Sequence, residues 1–169
     1  MKNRPKIQPE LTVMDRFAES LSILLLLIIW LNCFYYYSKL PDIIPTHFNA
    51  AGQPDAEGKK STLFMLPVIS TFIYALMTII NFFPHTFNFP SKITPENALK
   101  QYTLATRMVR FIKVIIMFMF AVIIIMTVKT ATGDTDGLGV WFTPLLVALL
   151  FVTITIFLLK LKRTSKTNN

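Results

Sequence analysis

Apolar positions along this chain fall into four long blocks, and the polar positions are collected in three connections and two ends. The blocks Phe17 to Tyr37, Thr62 to Phe83 and Val140 to Leu159 each run about 20 residues, the length that carries a helix across a hydrocarbon core of about 30 Å. In the remaining block the helix starts ahead of the apolar run. Thr94 offers a capping hydroxyl, Pro95 suits a first helical position and Glu96 favours the positive end of the dipole. Nothing then breaks the pattern before Thr132 and Gly133, so one helix of roughly 35 residues, about 50 Å long, is predicted, its first three turns outside the bilayer. Pro67 and Pro144 stand near the starts of their blocks, where a missing amide is best tolerated. The pattern predicts an all-α integral membrane protein: a four-helix transmembrane bundle with an extracytoplasmic loop between helices 1 and 2. It divides into a tail at 1–15, a membrane domain at 16–160 (spans about 17–37, 62–83, 106–128 and 140–159) and a tail at 161–169.

Composition agrees, with 53% apolar residues against 15% charged. The net charge of +8 would point to nucleic acid in a soluble chain, but here the cations flank apolar blocks, where they set topology and meet lipid headgroups. Nucleic acid is excluded as a partner, and the lipid bilayer takes its place. Thirteen Lys and Arg fall on the side of the two ends and the second connection, four on the other. Both termini are therefore expected in the cytoplasm, with the first loop outside a plasma membrane crossed several times. A cleaved signal peptide does not fit the first block, which is too long and ends in Tyr35, Tyr36 and Tyr37 with no small-residue cleavage site. Those tyrosines suit an interfacial belt. The amino end reads as a short solvated tail, and RTSKTNN at the other end likewise. Cys33 is the single cysteine, which excludes an internal disulfide and a multi-cysteine metal site. No internal repeat is visible, so a duplicated transporter architecture is not indicated.

The chemistry is concentrated in LPDIIPTHFNAAGQPDAEGKK, Leu40 to Lys60, whose prolines, glycines and acids favour turns over any regular element. Pro41, Pro45 and Pro54 restrict the chain before it folds, so the segment is expected to be an ordered cap on the helix ends. Ile43, Ile44 and Phe48 would form its apolar underside, and Asp42, His47, Asn49 and Asp55 its recognition face. His47 reads first as a residue that hydrogen-bonds within a turn, ahead of a metal or proton site; His85 lies across the membrane, and no metal or cofactor is assigned. Asn49 through Gly52 and Pro54-Asp55 read as turn formers before ligands. Arg107, Arg110 and Lys113 make a basic stripe on the cytoplasmic side, suited to anionic lipid, with docking of an acidic partner as the alternative. Glu19 is expected to snorkel to the interface and Asn32 to bond a neighbouring helix. No nucleophile and base, phosphate-cradling loop or paired intramembrane acids occur, which argues against an enzyme.

Leu40, Pro41, Ile44, Pro45, His47, Phe48, Asn49, Gly52, Asp55 and Lys59 together resemble the signature of a bacterial membrane domain of unknown function, the domain that also opens the SdpI-type immunity proteins. The similarity covers roughly residues 20 to 65, and the additional carboxyl-terminal spans of SdpI-type proteins have no counterpart here. The resemblance implies a bacterial plasma-membrane protein that protects against a membrane-active toxin peptide outside, or relays its presence to a cytoplasmic regulator. A small transporter or channel component is the second reading; spans two to four offer it mostly threonines.

Overall fold

The computed structural model describes residues 4–166, leaving Lys2 of the basic amino end and the last three residues of the carboxyl end outside the described part. Four helices long and apolar enough to cross a membrane account for most of it, making this a multi-pass, mostly helical membrane protein. They are α1 (Val13–Tyr37), α2 (Met65–Ile80, entered through a 3-10 turn at Lys60–Phe64), α3 (Pro95–Ala131) and α4 (Phe142–Lys166). α3 runs unbroken over 37 residues from Pro95. Its start is held by the Asn97 carboxamide, which accepts from the Thr94 amide at 2.9 Å. α1 begins ahead of the predicted Phe17 because Thr12 and Asp15 cap it reciprocally: the Asp15 amide donates to the Thr12 hydroxyl and the Thr12 amide to the Asp15 carboxylate.

α3 is the central helix. α1, α2 and α4 each pack on it, while α2 and α4 are not packed against one another. Ile29 and Cys33 of α1 meet Met117, Phe120, Ala121, Ile124 and Val128 of α3 in the main core, which Leu40, Ile44 and Leu63 close at one end. α4 returns antiparallel along α3, with Phe157 against Phe111 and the Leu161 carbonyl accepting from Gln101. The expectation for Asn32 is overturned: its amide donates to Ile28 O on its own helix, and the α1–α2 bond is made by the indole of Trp30, donating to the Thr71 hydroxyl at 3.0 Å.

The amino end is not the solvated tail expected. Arg4 donates to the carbonyls of His85 and Phe87 and lies over the Phe89 ring, Tyr102 donates to Pro5 O, and Ile7 packs with Phe89 on Ile93, Ala98 and Tyr102. A polar segment too poor in apolar residues to order alone is thus ordered by carbonyls and aromatics of the second connection, a pairing no local pattern announces. At the other end α4 continues through the basic residues to Lys166.

The larger correction concerns Leu40 to Lys60, which is not built of turns. Ile43–Phe48 (β1) and Pro54–Lys59 (β2) form an antiparallel hairpin with irregular register on either side of His47. β1 carries the Ile, Thr and Phe that favour strands, and β2 pairs with it despite a poor composition. Pro45 and Pro54 are tolerated because each strand of a two-stranded ribbon has a free edge.

Candidate functional site

A lone hairpin is marginal in water, so this one needs outside support. It has three kinds. Ile44 is 1% exposed and Leu40 4%, anchoring the first strand in the main core. Ile43, expected on that underside, instead points outward, because neighbouring residues of a strand alternate faces. At the base, Asp42 pairs with the Lys60 ammonium at 3.1 Å while its carbonyl accepts from the Lys60 amide. At the tip, the Gly52 carbonyl accepts from the Leu138 amide at 2.7 Å, which ties the turn to the connection between α3 and α4. That contact adds a second reason for glycine at Gly52, read from the sequence as a turn former, and a first one at Gly137: Gly52 has φ +76° and a Cβ there would lie 2.4 Å from Gly139 O, and a Cβ on Gly137 would lie 2.2 Å from Gly52 O.

The four loop residues singled out in the sequence do not form one cluster. Asp42 serves the base. Asn49 shapes the tip, its side-chain oxygen accepting from the amides of Ala51 and Gln53 at 2.9 and 3.1 Å. His47 and Asp55 meet across the strands, Nδ1 to Oδ1 at 2.5 Å, with the imidazole 68% and the carboxyl 42% exposed. Among the described residues no three His, Cys, Asp or Glu side chains converge as metal ligands would.

Beneath the hairpin lies a cavity of about 600 Å³. Its roof includes Phe48 and Glu57, its floor is Ile123 and Thr127 of α3, and its sides are Leu66 and Ile69 of α2 and Phe142 and Thr143 of α4. Because α2 and α4 do not close on each other, it is a cleft between helices. None of its α3 and α4 walls was foreseen, since they come from helices far along the chain from the hairpin.

At the opposite end of α1 and α3 the basic stripe has a different fate from the one expected. Arg107 donates to Asp15 from Nε at 3.0 Å and from Nη2 at 3.1 Å. Arg110 lies 3.2 Å from Glu19 and 3.7 Å from Asp15, and Lys113 donates to Glu19 at 2.6 Å and to the Thr78 hydroxyl at 2.9 Å. Lys113 is fully buried and Asp15 1% exposed. The stripe therefore faces the acids of α1, leaving neither Lys113 for lipid headgroups nor Glu19 to snorkel. Recurrence every three residues placed the cations on one face; only the packing of α1 on α3 decides that this face meets Asp15 and Glu19.

A four-helix, multi-pass membrane protein with a hairpin between its first two helices is the class this fold defines. Within it, residues 24–71, from mid-α1 through the hairpin into α2, match the model of a domain of unknown function, DUF1648. The chain is also 33% identical over 79 residues to an uncharacterized protein of Archaeoglobus fulgidus, a match covering 42% of this chain and 43% of that one. The matched part is thus less than half of the relative's length. No solved structure matches the chain.

Proposed function

We propose that this protein is a small plasma-membrane recognition protein, giving immunity to a membrane-active toxin peptide or sensing it for a cytoplasmic regulator, and that it is not an enzyme. The observation behind this is the His47–Asp55 pair, an exposed polar patch on a cap that the core, the base ion pair and the Gly52 staple hold in one shape. A preformed surface binds without the cost of ordering a free loop. The hairpin faces outward in this reading, the thirteen-to-four cation asymmetry putting both termini inside. The ionic network between α1 and α3 would then lie at the cytoplasmic end, where a shift of α1 against α3 could be read by a regulator.

The test is a deletion strain challenged with membrane-active peptides and complemented with variants. His47→Ala and Asp55→Ala are expected to lose protection at wild-type membrane abundance. Unchanged protection by both variants would overturn the assignment of the pair. Asn49→Ala is expected to lose protection together with abundance, since it removes the acceptor for two turn amides. The alternative, a transporter or channel component, has less support: the ionisable side chains between the helices pair with each other in one cluster instead of lining a path. Ion flux in liposomes of the purified chain would favour it.

A further inference from the structure

We propose that the cleft under the hairpin is a binding site for one phospholipid of the surrounding bilayer, entered sideways between α2 and α4, with preference for a primary-amine headgroup. Four observations point there. The first is shape. One turn of helix, about 10 Å across and 5.4 Å tall, already occupies roughly 400 Å³, so a cleft of about 600 Å³ suits an extended chain better than another membrane helix. Met65 and Ile69 of α2, which line it, are exposed on the outside of the helices, where a bilayer would meet them.

The second observation is an unanswered hydroxyl. Thr127 is 3% exposed and lines the cleft, yet makes no hydrogen bond within the described structure. Thr78, Thr106 and Thr132 satisfy theirs by donating to the carbonyl one turn earlier, the usual resort of a threonine on a membrane helix, whereas the Thr130 hydroxyl is also unpartnered but buried away from the cleft, where no ligand reaches it. Thr143, across the cleft on α4, is likewise without a hydrogen bond. Hydroxyls in an apolar setting are costly unless an acceptor reaches them, so a ligand with a carbonyl oxygen fits and a bare hydrocarbon does not.

Depth is the third. Thr127 lies four residues before the end of α3 at Ala131, about 6 Å along the axis, and Thr143 is the second residue of α4. For helices that span the bilayer, their ends lie where the hydrocarbon core gives way to the headgroup region, the level at which the ester carbonyls of a phospholipid are found. The fourth is charge. Glu57 is on the roof of the cleft, exposed and without an ion-pair partner among the described residues, whereas Asp42 and Asp55 are both paired. A carboxylate there attracts an ammonium headgroup and repels an anionic one. Chain in the cleft, carbonyl at Thr127 and Thr143, and amine toward Glu57 follow from the order of these groups.

The inference does not depend on toxin recognition, and its test contains no peptide. The full chain is reconstituted in vesicles of equal phosphatidylethanolamine and phosphatidylglycerol, extracted in mild detergent, and its retained lipid identified by native mass spectrometry. One retained phospholipid per chain, enriched in phosphatidylethanolamine, is the expected result. Ile123→Trp, which fills the floor, is expected to abolish retention. Thr127→Val, nearly isosteric, should lower retention about fivefold, the worth of one neutral hydrogen bond. Glu57→Gln should remove the headgroup preference while keeping the lipid. Wild-type chain without retained lipid, or retention unchanged by Thr127→Val, overturns the site. Equal retention of the two lipids by wild type, or a preference that survives Glu57→Gln, overturns the amine assignment. Should Ile123→Trp fail to fold, the Thr127→Val result decides alone.

Discussion

Gly52 and Gly133 both hold left-handed backbone, at φ +76° and +81°, but only one of them is crowded. A Cβ on Gly133 would meet nothing within 4 Å, so Gly133→Ala should cost only the left-handed penalty, about 1 kcal/mol. A Cβ on Gly52 would collide with the backbone of Gly139, and backbone cannot swing aside as a side chain can. Gly52→Ala is therefore expected to cost about 2–4 kcal/mol and to release the hairpin tip from the α3–α4 connection. Reversible unfolding in mixed detergent would measure both, and equal losses would contradict the staple. The same scale separates roles within the loop signature. Asn49 and Gly52 are used up in making and docking the turn, whereas His47 and Asp55 remain accessible.

Between elements, the pairing of α1 with α3 makes an asymmetric prediction. Lys113 is completely buried, and among the described residues Glu19 is its only acidic partner, so Glu19→Gln leaves its ammonium with the Thr78 hydroxyl and the Tyr74 ring but no counter-charge. Removing one member of a buried pair in this way costs about 3–5 kcal/mol. Lys113→Met leaves Glu19 beside Arg110 with its side chain 22% exposed, so a smaller loss of about 1–2 kcal/mol is expected. Unfolding free energies of the two variants and their double mutant give the coupling directly. A larger loss from Lys113→Met would show that Arg110 does not take over. Burial rather than charge count sets the difference.

For the whole molecule, the question is which face of the membrane the hairpin occupies. Cys33 is fully buried, so a cysteine placed at Ala56, exposed on β2, reports alone. Ala56→Cys is expected to react with a membrane-impermeant maleimide on intact cells, as the cation asymmetry requires. Reaction only after lysis would turn the protein over and put the hairpin, the cleft mouth and the proposed recognition face in the cytoplasm.

Taken by itself, the sequence determined what depends on local composition. Four apolar blocks fix four membrane-length helices, because a bilayer leaves a single chain few other ways to satisfy its backbone. Thr94-Pro95-Glu96 marks the start of α3, and the absence of breakers fixes its length. Asn49 and Gly52 announce a tight turn. What it left undetermined depends on partners distant in the chain. β2 has a poor strand composition and becomes a strand only when β1 lies beside it. The amino-terminal segment is ordered by carbonyls more than eighty positions away. Glu19 looks like an interfacial acid until α3 brings Arg110 and Lys113 against it, with Arg107 on Asp15 one turn away. The cleft is made by the hairpin and three helices at once, and nothing in the local sequence marks Thr127 as the threonine of α3 that lines it. Periodicity assigns a residue to a face of its own helix; which neighbour covers that face is settled by packing over the whole chain.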